Sequence, residues 1–264
     1  MTRFELKGGL VALLALAVAF SLMPRARAQV EARTILHKFG AVVFAGSDVG
    51  DVYDNGAAVA TYPWQSGAVA VEVISTSDND GAGDDSGCSS VTFEGLDANY
   101  AIQSETVATN GLAAVDAVNS YLRVYRIRCD AAGANGTNVG IISVQVDGAG
   151  AILGQVSAAR GQSLMAIYTV PAGKRFLMRG WKVSWSAVNA TASANCDLYA
   201  RSENGAARVQ DVLYFSGTTI PPPSDWPADV PRVYAAKEDI WINCTSDRAA
   251  TMSADFYGVL ADSN

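Results

Sequence analysis

The sequence predicts an all-β fold, with two β-sandwich or jelly-roll-like modules behind an N-terminal arm. Three observations carry this. Short segments rich in Val, Ile, Thr and aromatic residues alternate between apolar and polar positions with the two-residue period of strands that bury one face. Clusters of Gly, Asn, Asp and Ser interrupt them roughly every eight to fifteen residues, the turn spacing of sandwiches and jelly rolls. The 264 residues are 50% apolar and 17% charged, enough to fill one large core or two small ones and too apolar for a disordered chain. No internal repeat period argues for a solenoid or propeller.

Residues 1–28 have the form of a secretory signal. Arg3 and Lys7 make a basic start, Gly9 to Leu22 is apolar, and Arg25-Ala26-Arg27-Ala28 ends in an A-x-A pattern, with Gln29 as the expected new N-terminus. The apolar run falls short of the roughly 18–20 residues that span a bilayer comfortably. An uncleaved anchor, a misassigned start codon and a buried helix are the alternatives. Residues 29–64 are less regular and read as an arm or linker with Gly-rich turns.

The first module is expected over 65–160. Its strands are Val69 to Ile74, the alternating Val91-Thr-Phe-Glu-Gly95, Tyr100 to Val107, Tyr121 to Cys129, Ile142 to Val146 and Ala151 to Val156. The Tyr121 segment changes phase, which predicts a bulge or a two-sided contact. Gly111 to Val118 alone hints at helix. The second module is expected over 161–264, with strands Leu164 to Val170, Leu177 to Trp185, Asp197 to Ser202, Val209 to Phe215, Ile240 to Cys244 and Met252 to Leu260. Alternation places Leu177, Arg179, Trp181, Val183 and Trp185 on one face. The stretch Ile220 to Pro227 holds four prolines, so it is an extended loop and not a central strand.

Cys88, Cys129, Cys196 and Cys244 show no C-x-x-C spacing, against a zinc ribbon or redox motif. Of the three possible pairings, Cys88–Cys129 with Cys196–Cys244 is favoured, because two cysteines precede residue 161 and two follow it. In an exported chain these read as structural disulfides. In a cytoplasmic one they read as buried small apolar residues.

Composition excludes more functions than it supports. The net charge of −7 argues against a phosphate-binding surface, and hence against a nucleic-acid partner. His37 is the only histidine, which removes multi-histidine metal sites and leaves at most one imidazole for catalysis. It reads as a packed or solvent-facing residue. Neither a P-loop nor G-x-G-x-x-G occurs, and Gly161-Gln-Ser163-Leu lacks the closing glycine of a nucleophile elbow. Asp78, Asp80, Asp84 and Asp85 are dense enough for calcium, but Ala82 breaks the EF-hand template and a solvated hairpin loop is the simpler reading. Glu72, Glu94 and Glu105 lie on strands without a spacing that singles out a glycosidase pair. Trp181 and Trp185 read as core. Trp226 and Trp241, the latter out of phase with Ile240 and Ile242, read first as a partner-facing surface, with core packing as the second reading and sugar stacking as the third. No catalytic, cofactor-binding or metal-ligating residue is assigned, and no cofactor is expected.

Several blocks in order carry a family resemblance: Val91-Thr-Phe-Glu-Gly95-Leu-Asp97-x-x-Tyr100, Ser104-Glu-Thr-Val107 with Asn110-Gly111, Ser120-Tyr-Leu-Arg-Val124, Asn138-Val-Gly140 and Gly161-Gln-Ser163 through Lys174. From about Lys38 to its end the chain resembles virion structural proteins of tailed, often marine, phages. The resemblance implies a β-rich, non-enzymatic particle component with no catalytic residues to carry over. It implies a surface or decoration protein of the head, a homo-oligomer such as a trimer, with the major capsid protein among its partners and the virion as its location. The alternative is a tail or exported cell-surface module, periplasmic or extracellular, recognising a glycan or receptor through aromatic loops. The signal-like segment departs from the family, because head proteins assemble in the cytoplasm.

Overall fold

The computed structural model describes residues 33–54, 59–81, 83, 86–187, 189–217, 224–225 and 230–263. They are all-β, in four antiparallel sheets that pair into two sandwiches. Residues 1–28, Asp84, Asp85 and Trp226 lie outside the described residues, as does most of the proline-rich stretch.

Two strands come first, β1 (Arg33–Phe44) and β2 (Asp48–Asp51), and both belong to the second sandwich. This corrects the reading of 29–64 as an irregular arm. β1 pairs along all twelve of its residues, from Arg33 opposite Ala261 to Phe44 opposite Ala250. Its inward positions are Leu36, Lys38, Gly40, Val42 and Phe44. A lysine and a glycine at two of the five hid the alternation. Gly40 is required there, since a Cβ would lie 2.3 Å from the Val52 carbonyl oxygen.

The first sandwich comprises β3 (Val69–Ser75), β4 (Cys88–Leu96), β5 (Ile102–Ala108), β6 (Val115–Tyr121), β7 (Arg123–Ala132), β8 (Ile142–Val146) and β9 (Ile152–Val156). One sheet runs β6–β3–β8–β9 and the other β5–β4–β7. Val71, Val73, Val91, Phe93, Val124, Ile127, Val144 and Leu153 fill the space between them. The hint of helix at 111–118 is corrected, since this region leads into β6. β6 is an end strand whose Val118, Asn119 and Ser120 are all exposed, so no buried face imposes alternation on its sequence.

The phase change in β7 is a bulge. Glu94 lies opposite Arg126 and Gly95 opposite Val124, which leaves Tyr125 unpaired. Val124 and Ile127 face the first core, while Tyr125 is turned into the second. One strand thereby serves two cores.

The second sandwich adds β10 (Ile167–Thr169), β11 (Lys174–Ala187), β12 (Ser193–Arg201), β13 (Arg208–Ser216), β14 (Ser224–Asp225), β15 (Arg232–Tyr234), β16 (Asp239–Ser246) and β17 (Ala250–Asp262). One sheet runs β1–β17–β11–β14, with β15 also on β11, and the other β10–β16–β12–β13, with β2 also on β16. Phe44, Phe176, Trp181, Trp185, Leu198, Ile242, Met252 and Phe256 are among its core residues. The single-face reading of β11 is corrected by a bulge between Met178 and Gly180. Phe176 and Met178 point inward before it, Trp181, Val183 and Trp185 after it, and Leu177 and Arg179 fall on the other face.

Both disulfides form: Cys88–Cys129 ties β4 to β7, and Cys196–Cys244 ties β12 to β16. They close loops of 41 and 48 residues. Chain entropy assigns each about 4 kcal/mol at most.

Candidate interaction surface

Within the acidic cluster, Asp80 is a structural hub. Asp80 is fully buried. One carboxylate oxygen accepts the backbone N–H groups of Cys88 and Val139, both at 2.8 Å, and the other accepts Gly140 N–H and Ser75 Oγ–H, both at 2.7 Å. Four donors occupy the two oxygens, so this aspartate holds the loop together and has no lone pair aimed at a cation.

The three strand glutamates share no cleft. Glu94 meets Arg128 at 2.7 Å on the β5–β4–β7 sheet. Glu105 accepts Val118 N–H at 2.6 Å and Asn119 N–H at 3.0 Å, bridging β5 to β6. Glu72 lies on the opposite sheet and accepts Gln145 Nε2 at 2.6 Å and Ala149 N–H at 2.9 Å, which hold its carboxyl below the usual range. Glu72, Asp116 and Asp147 each bring a ligand atom within 4.8 Å of one another, the nearest approach to a hard-cation site among the described residues. The Glu72 oxygens are already engaged. Ser163 accepts Ile127 N–H at 2.9 Å and has no imidazole beside it, because His37 sits on β1, half exposed, 3.4 Å from Asp255.

The tryptophans divide differently from expectation. Trp181 and Trp185 are core, as read. Trp241 does point away from Ile240 and Ile242, but it is buried in an apolar cluster, which corrects its partner-facing reading in favour of core packing. The chain supplies its own cover: residues 59–65 cross the sheet and lay Tyr62 and Trp64 on Trp241, with the Trp64 and Trp241 rings 5.1 Å apart. Tyr199 stacks on the far side of this cluster, 5.2 Å from Trp241.

This strap marks the junction of the sandwiches, which sequence reasoning missed. Tyr62 Oη donates to Val124 O at 2.9 Å and accepts Val124 N–H at 3.1 Å. Two guanidinium groups pack on the Trp64 ring, Arg123 at 5.1 Å and Arg201 at 5.0 Å. Both arginines converge on Asp239, whose side chain is 4% exposed. Arg123 Nε and Nη2 reach it at 3.3 Å, Arg201 Nη2 at 2.5 Å, and Thr169 Oγ1 at 2.6 Å. Arg123 Nη1 also donates to the carbonyls of Gln65 and Leu122. Arg123 comes from the first sandwich and Asp239 from the second, so a buried, hydrogen-bonded ion network pins the two together.

Apolar side chains remain outward at several places, among them Ile35 of β1, Val118 of β6 and a group on the β10–β16–β12–β13 sheet. On the β10–β16–β12–β13 sheet, pairing sets Val49, Thr245, Asn195 and Tyr214 in one row across the outer face. Val49 is 56% exposed and Tyr214 76%. Val209, next to Tyr199 on the same face, is 46% exposed. β13 is the end strand of this sheet, and it leaves Val209 and Tyr214 exposed with half-buried residues between them.

No family model matches the chain, and no curated protein does. Among solved structures, the chain is similar to the structure of the Gx strain of infectious bursal disease virus at 9% identity, covering 88% of this chain and 76% of that one, with a TM-score of 0.25. The VP2 subviral particle of the same virus gives 9% identity, 88% and 76% coverage and a TM-score of 0.20. The Gt strain gives 11%, 87% and 72%, and 0.21. A likeness at these scores assigns no function to the chain.

Proposed function

We propose that this chain is a non-enzymatic structural protein of a viral particle that associates with copies of itself through the outer face of the β13 sheet. The observation that carries the reading is the exposure of Val209 and Tyr214 on the end strand β13, in a sheet whose outer face also leaves Val49 of β2 exposed. Unpartnered apolar side chains beside a sheet edge are a ready surface for a second subunit. The acidic and strand-borne groups that would serve catalysis are engaged internally, as at Asp80, Asp239, Glu94 and Glu105. The ordered sequence blocks extend the reading to a tailed-phage head, with the chain as a surface decoration, trimeric, against the major capsid protein. The test is copy number: quantitative mass spectrometry of purified particles should find the chain at many copies per particle. Its absence from particles refutes the role.

The two disulfides favour the second reading, an exported module. In that case the chain starts at Gln29 and is recovered, oxidised, from periplasm or medium. With Trp241 buried, its glycan-recognising surface would have to lie elsewhere.

A further inference from the structure

We propose that Lys38 is a proton-operated latch between the two sandwiches: as a neutral amine it fastens β1 to the bulged strand β7, and taking up a proton loosens that contact. The inference does not depend on the assembly reading.

Lys38 is 7% exposed on the inner face of β1. Its Nζ donates to the carbonyl of Tyr125, the residue that the β7 bulge turns from the first sandwich into the second core. Among the described residues that carbonyl is its one hydrogen-bond acceptor, with the Tyr125 ring centre 5.0 Å away. One acceptor suits an amine with two N–H groups. An ammonium has three and needs water or further acceptors. The surrounding charges do not supply them. Glu94 of β4 attracts the group but is held by Arg128 at 2.7 Å. Arg126 of β7 repels it. Inward residues of β17 beside it are Ala254 and Phe256, and the Tyr168 hydroxyl of β10, pushed up by burial, stays neutral. His37 and Asp255 lie on the opposite face of the same strand pair. Burial first, then Arg126, bring the Lys38 amine down from 10.5 to about 7.

A conformation in which β1 has parted from β7 returns the group to water and to its ordinary proton affinity. Opening is therefore coupled to proton uptake. Its equilibrium constant rises about tenfold for each unit that pH falls between the ordinary lysine range and 7, and levels off below, where the buried amine is itself charged.

Amide hydrogen exchange on the full chain at pH 9 and pH 7, corrected for the intrinsic rate, tests this. In the wild type, opening constants in β1 and β7 should be about 50-fold larger at pH 7, and in Lys38→Met they should be equal at the two pH values. Equal pH dependence in both proteins, or none in either, overturns the latch. Should Lys38→Met not fold, titration of the wild-type Lys38 Cε resonance decides. A midpoint near 7 supports the latch, and one in the ordinary lysine range shows an amine already hydrated and overturns it.

Discussion

Replacing Asp239 should loosen the junction of the sandwiches more than any other single charge change. Its carboxylate takes hydrogen bonds from Arg123, Arg201 and Thr169, and the side chains of Asp239 and Arg123 are 4% and 6% exposed. Asp239→Asn keeps the shape but removes the charge and turns an NH2 toward two guanidinium groups. Arg123 is then a buried cation with only the carbonyls of Gln65 and Leu122 and the face of Trp64 for company. Breaking one side of a buried pair in this way costs about 3–5 kcal/mol, a large part of the roughly 5–15 kcal/mol by which a domain is stable. The neighbouring pair is the internal control. Lys237 and Glu203 meet at 3.1 Å with side chains 38% and 40% exposed, so Lys237→Ala should cost at most about 1 kcal/mol. Equilibrium urea unfolding followed by tryptophan fluorescence measures both. If Asp239→Asn costs no more than Lys237→Ala, the network does not hold the sandwiches together.

Other expectations follow from the same contacts. Asp80→Asn keeps one acceptor oxygen but turns an NH2 toward two of the four donors, and should cost about 2–4 kcal/mol, with exchange of the Cys88, Val139 and Gly140 amides rising first. Reducing each disulfide should lower stability by up to about 4 kcal/mol, read as separate losses in Cys88→Ala/Cys129→Ala and Cys196→Ala/Cys244→Ala variants. Because the folded-state Lys38 value is depressed to about 7, its penalty is complete at and below that pH and fades as pH rises toward 10.5. Lys38→Met should therefore stabilise the protein most at pH 7 and least near pH 10, measured by urea unfolding at both. A constant gain across that range contradicts the burial of a neutral amine.

Strands with a clean buried face were legible in the sequence, such as β17, where Met252, Ala254 and Phe256 alternate with exposed or half-exposed neighbours. Strands without one were not. β1 carries Lys38 and Gly40 inward, and β6 leaves Val118, Asn119 and Ser120 exposed and fully buries only Tyr121 at its end. The disulfide pairing followed from two cysteines on either side of one boundary. The outward phase of Trp241 was legible, but its burial was not, because the cover comes from Tyr62 and Trp64 in a stretch with no periodicity. The junction was invisible for a related reason: Arg123 and Asp239 are 116 residues apart, and each alone looks like an ordinary surface charge. Only the fold, with Tyr125 turned out at the β7 bulge, brings the two sandwiches onto shared partners.

Self-association through the β13 face is tested most directly by sedimentation velocity on the oxidised protein, compared with Val209→Asp/Tyr214→Asp. Both positions are exposed, so the variant should keep its fold by circular dichroism. The wild type should sediment as an oligomer that dissociates on dilution, and the variant as a monomer throughout. A wild type that stays monomeric at every concentration, or a variant that assembles as well as the wild type, contradicts the assignment of this face.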